Sequence, residues 1–398
     1  MDFLFVSRRM AVMNIIQVGG GVRSTLLIEA LSRLGHVDVI SFAKEPIESS
    51  IPNCDVIFSG EIPLGQLTLG ERLLSNMRLF LAPWSPKGYY CVNKEYESIV
   101  SRYYIERHYD FVVCHFIEDA VSCGMMKYAD RLILDVDDNL VSVAKRNFAN
   151  THTRNVYRWG KALWRTLTIG KMQRRLLKHV KLSFYSNESE PPYRKSVLLQ
   201  NVPLLSCPCA DVTEATPMRL LFVGNIDFFP NTNGIVHFVE SVFPRIKERI
   251  PAVELNIVGL CEDSETKSKL SSVNGVNVLG FVDDLQEEYQ NCRAVIVPLY
   301  HGAGTSIKFI EGVMMNRPIV STPMGARGFG GIFQANRHYL LASNDQEFAD
   351  QVVKVLSSVD DAALIARNAL ETGKLHFSKD GFYEIVRESV DAITGRQS

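Results

Sequence analysis

The sequence has no apolar run of the length that a membrane-spanning helix needs, about 18 to 20 residues. Its amino-terminal stretch, MDFLFVSRRMAVMNIIQVGGG, places arginines where a signal peptide would keep an apolar segment. With 46% hydrophobic and 22% charged residues, the composition is typical of a globular protein. We therefore expect a cytoplasmic chain without a spanning segment.

Paired cysteines and a strong net charge are also missing. The eight cysteines are scattered and form no C-x-x-C pair, which argues against a disulfide framework and against a zinc module. The net charge of −1 says nothing about partners by itself, so the distribution of charge along the chain matters instead. The function must therefore be sought in local motifs.

The length of 398 residues predicts two domains, because a single hydrophobic core stops growing at about 250 to 300 residues. In the first half, a glycine loop at Gly19, Gly20 and Gly21 is followed by a helix at 22–34. Strands and helices alternate, which predicts a parallel sheet. The predicted strands lie at 3–6, 37–42, 54–58, 111–115 and 131–136.

The alternation is more regular beyond 203–217, a proline-bearing stretch without periodicity that we interpret as the linker. Strands are predicted at 219–223, 255–258, 276–279, 294–297, 318–321 and 339–341. Helices are predicted at 233–249, 262–271, 284–291, 305–316 and 345–357.

Glycine-bearing turns follow four strands of the second half, and parallel sheets bind ligands at the carboxyl ends of strands. These turns contain Gly224-Asn225, Gly259, Gly280 to Asp283 and Gly302 to Thr305. In the last one, glycines permit close approach of a ligand, and Thr305-Ser306 opens a helix whose free N–H groups suit phosphate. The alternative is an ordinary strand-to-helix turn with a threonine cap.

Lys308 and Glu311 follow on the same predicted helix and share a face with Thr305. A lysine there would neutralise a diphosphate leaving group, and a carboxylate would accept hydrogen bonds from ribose or sugar hydroxyls. The alternative is a surface salt bridge. Its order, lysine before glutamate, is the less favourable one within a helix.

The segment from Leu221 to Phe329 resembles the donor domain of glycosyltransferase family 4, on the blocks FVGN, NVLGFVDD, GAGTSIKFIEG and GARGF. The resemblance implies the GT-B fold, an α/β architecture of two Rossmann-like domains facing a central cleft. It also implies a retaining hexosyl transfer from a nucleotide sugar, with no cofactor and no bound metal. The implied divisions are an acceptor-binding domain at 1–205, a linker at 206–217, a donor domain at 218–373 and a helix crossing back to the N-terminal domain at 374–398.

The resemblance also implies roles for individual residues. Lys308 would carry the leaving-group charge, Glu311 would contact the ribose, and His115, which closes the strand FVVCH, would bond to the donor sugar. Gly19, Gly20 and Gly21 would lie on the acceptor side. The implied donor-binding residues are Gly224, Asn225, Gly259, Phe281, Val282, Asp283, Gly302, Ala303, Gly304, Thr305, Ser306 and Arg327.

The sequence departs from the family pattern at two places. Ala303 occupies the position of the first glutamate of the E-x7-E motif, which Glu311 closes. Asn225 and the loop 227–233 replace the usual arginine and lysine after the first donor strand. We therefore expect Lys308, helped by Arg327, to carry the phosphate charge.

Several of these motifs are open to a second interpretation. His115 can be a structural histidine. Asp135, Asp137 and Asp138 could form a metal site, but the resemblance implies an acceptor-side strand end, and Asp138-Asn139 equally suits a helix cap. The stretch Gly19 to Ser24 is a partial dinucleotide fingerprint that lacks the third glycine and a following acidic residue, which argues against an oxidoreductase. A sugar-nucleotide epimerase of the GT-B fold and a non-catalytic nucleotide-sugar-binding partner both stay compatible with the sequence.

Residues 145–181 contain eleven Lys or Arg and no Asp or Glu. Within them, apolar residues recur at helical spacing from Val156 to Leu167. A helix of this kind would bind an anionic membrane surface, here the inner face of the cell membrane, and serve a lipid-linked acceptor. The alternative is a helix that packs on the sheet with its cations in solvent. Nucleic acid is not an expected partner, because no nucleic-acid module accompanies the charge.

Overall fold

A computed structural model of the chain describes residues 1–8, 19–42, 50–62, 69–137, 140–149, 155–186, 195–203, 205, 207–302 and 305–395. The chain divides into two compact units. The first unit comprises Met1–Ile16, Gly20–Gln200 and Phe382–Ser398, and the second comprises Gln17–Gly19 and Asn201–Gly381.

The first unit contains a parallel sheet of seven strands in the order β3-β2-β1-β4-β5-β6-β7. The central strand, Phe111–His115, is buried along its whole length, as expected of a parallel sheet covered by helices. Its strands are β1 Asp2–Ser7, β2 His36–Ser41, β3 Cys54–Ser59, β4 Phe111–His115, β5 Leu132–Asp137, β6 Leu182–Tyr185 and β7 Ser196–Leu198. Strands β6 and β7 were not predicted, because each is short and shows no alternation of apolar and polar residues.

Six helices lie between these strands among the described residues. They are α1 Gly19–Ser32, α2 Leu69–Leu81, α3 Lys94–Glu106, α4 Ile117–Ser122, α5 Leu140–Ala149 and α6 Val156–Leu177, with two 3-10 helices at Pro86–Gly88 and Met125–Arg131.

The prediction of a loop at Gly19, Gly20 and Gly21 is wrong, because these residues form the first turn of α1. As in every α-helix, the N–H groups of this first turn have no hydrogen-bond partner within the helix. Each glycine disfavours the helix by about 1 kcal/mol relative to alanine. Burial of Leu26, Leu27 and other apolar side chains of α1 outweighs that cost.

The second unit contains a parallel sheet of six strands in the order β10-β9-β8-β11-β12-β13. Its strands are β8 Arg219–Val223, β9 Glu254–Val258, β10 Val276–Gly280, β11 Ala294–Val297, β12 Ile319–Ser321 and β13 Leu340–Leu341. Its helices are α7 Phe229–His237, α8 Phe243–Arg249, α9 Ser264–Ser271, α10 Leu285–Gln290, α11 Ile307–Met314, α12 Asp345–Ser357 and α13 Val359–His376. The strands agree with the sequence prediction to within a residue or two at most ends.

The helix predicted at 233–249 is interrupted. It begins earlier, with α7, and a π-helical turn at Phe238–Val242 separates α7 from α8. Pro244 has no N–H group to donate to the carbonyl of Glu240, so the regular pattern of hydrogen bonds cannot continue through this point.

The predicted linker, 203–217, has no helix or strand among its described residues. Two buried arginines of the second unit bind its carbonyl groups. Arg293 donates to the carbonyl of Thr216, and Arg317 donates to the carbonyl of Ala210 at 2.8 Å. The described part of the stretch is therefore anchored to the second unit by hydrogen bonds.

The last helix, α14 Lys379–Thr394, belongs to the first unit from Phe382 onward. The hydroxyl of Tyr383 donates to a carboxylate oxygen of Glu29 on α1, and the guanidinium of Arg33 lies 3.8 Å from the centre of the Tyr383 ring. Across the described ranges, the helices are too short or too polar to cross a bilayer.

Candidate functional site

The sheet of the second unit has a switch point between β8 and β11. From β8 the chain adds β9 and β10 on one side and then returns to place β11 on the other. Loops after β8 and β11 therefore diverge, and open α/β sheets bind ligands in the crevice that this leaves at the carboxyl ends of the strands. Gly224 and Asn225 follow β8, and α11 follows β11.

The glycines after β8 and β9 let the backbone pack closely at this edge. A Cβ atom on Gly259 would lie 2.1 Å from the carbonyl oxygen of Gly224. A Cβ atom on Gly224 would lie 2.9 Å from Nδ2 of Asn231 and 3.2 Å from Cε of Lys308. Any side chain at either glycine would displace the residues that form the site.

Lys308 points toward this edge from the first turn of α11. Its Nζ donates a hydrogen bond of 2.7 Å to Oδ1 of Asn231 and lies 5.3 Å from the centre of the Phe222 ring. Burial disfavours the charged ammonium and lowers the pKa of Lys308 to about 8.

Glu311 lies three residues further along α11. Burial raises the pKa of its carboxyl group to about 7, opposed by the charge of Lys308. The hydroxyl of Tyr289, on α10, donates to Oε2 of Glu311 at 3.4 Å. Burial therefore disfavours the charged forms of both Lys308 and Glu311, and the opposite charge of each partly offsets this for the other. The pair is not the exposed surface salt bridge that was the alternative prediction.

The predicted start of this helix is corrected by two residues. The helix α11 begins at Ile307 with Ser306 as its N-cap, so Thr305 lies outside it and not on its face. Thr305 instead accepts a hydrogen bond from Asn201 Nδ2 at 3.5 Å. The Oγ atom of Ser306 is buried and makes no hydrogen bond among the described residues. Gly302 is described, whereas the predicted donor-binding residues Ala303 and Gly304 lie outside the described residues.

The remaining predicted donor residues lie in neighbouring loops. Phe281, Val282 and Asp283 follow β10, with the Phe281 side chain 47% exposed. Arg327 is half-buried in the turns after β12. At Gly325 a Cβ atom would lie 2.6 Å from the carbonyl oxygen of Val297, so this turn packs closely against the end of β11.

A second polar cluster lies in the first unit, at the carboxyl end of β4. His115 is 2% exposed, and its Nδ1 lies 2.7 Å from the hydroxyl of Ser24 on α1. Its Nε2 makes no hydrogen bond among the described residues and lies 3.6 Å from carboxylate oxygens of Asp135 and Asp137. Phe116, the next residue, has a φ of +72° and stacks on the imidazole. Such strained backbone is frequent at functional sites.

Asp135 forms an ion pair with Arg23. The guanidinium of Arg23 binds both of its carboxylate oxygens at 2.7 Å, and both side chains are almost fully buried. This pairing favours a structural ion pair over a metal site for Asp135 and Asp137 of β5. Asp138 lies outside the described residues.

One other group of side chains has the spacing of a metal site. His36, Asp38 and Asp55 converge at the amino ends of β2 and β3. Asp38, however, accepts hydrogen bonds from Arg107 at 2.7 Å and Tyr109 at 2.6 Å. The group lies at the edge of the sheet opposite to His115.

Sequence reasoning missed Asn231, Ser24 and Tyr289, which contact Lys308, His115 and Glu311 respectively. Asn231 lies in the stretch 227–233, which the sequence predicts as a loop without the family's arginine and lysine, but which in the structure includes the first turn of α7. The absence of the arginine and lysine indicated that this stretch differs from the family, but it did not indicate that Asn231 contacts Lys308.

Two comparisons concern the sequence. Residues 217–358 match the family model described as Glycosyl transferases group 1. A relative from Klebsiella pneumoniae, named "Uncharacterized 44.6 kDa protein in cps region", is 23% identical over 387 residues, which cover 93% of this chain and 96% of the relative.

Solved structures are similar over the full length. Sucrose-phosphate synthase from Thermosynechococcus elongatus has a TM-score of 0.70 at 16% identity and covers 100% of both chains. Anabaena HepE, in complex with UDP and glucose, has a TM-score of 0.65 at 14% identity, over 98% of this chain and 100% of that chain. The chain therefore has the GT-B fold, with two Rossmann-like units, and its residues 217–358 are similar to the glycosyl transferases group 1 family.

Proposed function

We propose that this protein is a retaining hexosyltransferase that moves a sugar from a nucleotide-sugar donor to a glycan or lipid-linked acceptor. The observation that carries the proposal is Lys308, whose ammonium lies beside the carboxyl end of β8 at the switch point of a parallel sheet. The family match over 217–358 supports donor chemistry in the same unit.

At the donor site, Lys308 neutralises charge as the diphosphate leaves. Phosphate oxygens are bound by the Ser306 hydroxyl and by the free N–H groups of the first turn of α11, with Arg327 as a second cation. Glu311 accepts hydrogen bonds from ribose hydroxyls in its ionised form. Because side chains supply the positive charge, this proposal needs neither a metal nor a cofactor.

The base binds next to the loop after β10, where Phe281, Val282 and Asp283 follow the strand. In the first unit, His115 donates from Nε2 to a sugar hydroxyl. Its lack of a hydrogen-bond partner among the described residues supports this role, since a buried imidazole nitrogen is normally paired. Gly19, Gly20 and Gly21 form the acceptor side, where the backbone of the first turn of α1 is free of side chains.

Cell-surface polysaccharide synthesis is the process we propose. The relative named for a cps region supports it, as does a structural neighbour that was solved with UDP and glucose, the parts of a nucleotide sugar.

The proposal is tested in two steps. A thermal-shift screen of nucleotide sugars identifies the donor, because a ligand at 100 times its Kd stabilises the folded protein by about 2.7 kcal/mol. Release of the nucleoside diphosphate is then measured with and without candidate acceptors. A transferase releases it in quantity only with an acceptor, and the product keeps the anomeric configuration of the donor. Conversion of the sugar without an acceptor indicates the epimerase, and stabilisation without turnover indicates the non-catalytic partner.

We further propose that the first unit associates with an anionic membrane surface through residues 145–181. In α6 the cations Lys171, Arg174, Arg175 and Lys178 are exposed. The turns between them bury Ile169, Met172, Leu176 and Leu177 in the core, so this half of α6 presents only cations to the solvent.

Apolar side chains lie exposed beside this basic face. They belong to α6 up to Leu167, to α2 and, for Trp84, to the turn after α2. Helix α2 packs on α6 through a hydrogen bond from Trp164 Nε1 to the carbonyl of Leu79 at 2.9 Å. The exposed apolar residues are Leu73, Leu74, Met77, Phe80, Leu81, Trp84, Val156, Tyr157, Trp159 and Leu167. Trp164 itself is half-buried, so the expected tryptophan at the interface is Trp159. Cations beside apolar and aromatic side chains are typical of surfaces that bind lipid headgroups.

A further inference from the structure

Asn231 accepts the hydrogen bond that holds the ammonium group of Lys308. It lies in the first turn of α7, is 7% exposed, and its Oδ1 lies 2.7 Å from Nζ. Within the described part of the chain, no other group forms a hydrogen bond with this ammonium. An ammonium has three N–H donors, so two remain for a ligand.

Asn231 is itself fixed from its other end. Its Nδ2 donates a hydrogen bond of 2.7 Å to the carbonyl oxygen of Asn225, in the turn after β8. The two neighbours set the orientation of the amide, because a carbonyl requires a donor and an ammonium requires an acceptor. Gly224 leaves the space for this arrangement, since a Cβ atom there would lie 2.9 Å from Nδ2.

The neutrality of the amide matters for an anionic ligand. A carboxylate in the same place would hold the lysine equally well, but it would cancel the positive charge and repel phosphate. An amide oxygen orients the ammonium and leaves its full charge. The other charged group at Lys308 is Glu311 on the same helix, and burial raises the pKa of that carboxyl group, which reduces its competition for the lysine near neutral pH.

We infer that Asn231 is a positioning residue, which holds the ammonium of Lys308, with its charge intact, where the diphosphate of the donor binds. The inference rests on the proposed function, because it takes Lys308 as the group that binds the diphosphate.

The test is calorimetric binding of UDP, GDP and ADP, each beside its parent nucleoside, to the wild-type protein and to variants. For the tightest diphosphate we expect Asn231→Asp to weaken binding about 10-fold or more, because the carboxylate still accepts the hydrogen bond from Lys308 but cancels its positive charge and repels the diphosphate. Binding of the nucleoside should stay within about twofold of wild type, because Lys308 does not contact it. Asn233→Asp, which adds the same charge in the same helix, serves as the control and should stay within about twofold for both ligands.

A double-mutant cycle separates positioning from general damage. If Asn231 acts through Lys308, Asn231→Ala weakens diphosphate binding in the wild-type background and has no further effect in the Lys308→Ala background. Equal losses in both backgrounds would overturn the inference.

The outcomes also separate the inference from the proposed function. If the wild-type protein binds none of the three diphosphates, the proposed function fails and the inference fails with it. If Lys308→Ala abolishes diphosphate binding while Asn231→Asp leaves it unchanged, the inference alone is wrong. If Asn231→Asp weakens nucleoside and diphosphate equally, Asn231 has only a structural role, which also overturns it.

Discussion

The hydroxyl of Ser24 lies 2.7 Å from Nδ1 of His115, so a residue of α1 fixes the imidazole at the end of β4. When the hydroxyl donates this bond, Nδ1 has no proton and Nε2 carries it. Nε2 then points to the side of Asp135 and Asp137. In that tautomer His115 donates from Nε2.

The first prediction concerns this pair. We expect His115→Ala to lower kcat about 100-fold or more, in the range seen on removal of one positioned donor to a reacting group. Ser24→Ala removes the hydroxyl that bonds to Nδ1 of His115 and should lower kcat about 10-fold with little change in KM. Ser24→Thr keeps the hydroxyl and should restore most of the rate. Steady-state kinetics at saturating donor measure these effects, and a Ser24→Ala variant with wild-type kcat would show that the bond is not needed for turnover.

The second prediction concerns the donor helix. Lys308→Ala and Glu311→Ala should each lower turnover strongly, because loss of a charge contact to a developing anion costs about 2.7 to 4 kcal/mol, or 100- to 1000-fold. Glu265→Ala, at an exposed position of α9, is a matched control and should leave turnover unchanged. Near wild-type turnover of both α11 variants at saturating donor would remove this helix from the site.

The third prediction is a proton uptake that accompanies donor binding. The pKa of Lys308 is lowered to about 8 by burial, so a growing fraction of the free protein loses this charge as the pH rises through that value. A diphosphate favours the ammonium and raises the pKa, so binding at pH 8 to 9 takes up protons and weakens as the pH rises. Calorimetry in buffers of different ionisation enthalpy measures the uptake. It should disappear in Lys308→Arg, because a guanidinium does not titrate in this range; persistence in that variant would assign the proton to another group.

Most of the second unit follows from its sequence because the signals are local. Short buried strands alternate with helical periodicity, and a glycine follows each of β8 and β9, so the carboxyl edge of the sheet could be located in advance. The position of Lys308 and Glu311 on one helix after β11 is likewise set by spacing alone.

The contacts that complete both clusters could not be predicted, because they join residues far apart in the chain. Asn231 and Lys308 are 77 positions apart, and Ser24 and His115 are 91 apart. Each pair joins residues of different elements, so the periodicity of a single helix or strand gives no sign of the contact. The helical start of α1 at Gly19 was missed for a related reason, since local propensity disfavours glycine and the packing of later residues decides the outcome.

The fourth prediction concerns the C-terminal helix. Truncation after Thr372 removes the last turn of α13, the buried Phe377 and all of α14, whose Phe382, Val386 and Val390 are buried. Each such side chain contributes about 1.5 to 3 kcal/mol of burial, so the melting temperature should fall by many degrees. Tyr383→Phe, which removes the hydroxyl that bonds to Glu29, should cost about 1 kcal/mol. A truncated protein with the full melting temperature would show that α14 contributes no stability to the first unit.

The fifth prediction concerns the basic face of α6. We expect the wild-type protein to sediment with anionic phospholipid vesicles at low salt and to be released as salt rises, since screening shortens the reach of exposed charges to about 10 Å at 0.1 M. Each cation near an anionic surface contributes about 1 kcal/mol, so replacing Arg174, Arg175 and Lys178 by Glu should weaken binding at least about 100-fold.

Two controls make this test specific. The triple variant with Glu at Lys267, Lys354 and Lys374 carries the same change in net charge on exposed positions of the second unit, and it should bind vesicles like the wild type. Vesicles of neutral lipid should bind the wild type and both triple variants only weakly, because without lipid charge the exposed apolar side chains are the only source of attraction. Equal binding of the wild type and the α6 variant, or no binding of the wild type to anionic vesicles, would mean that the cations of α6 are solvated and that the helix serves only to pack on the sheet.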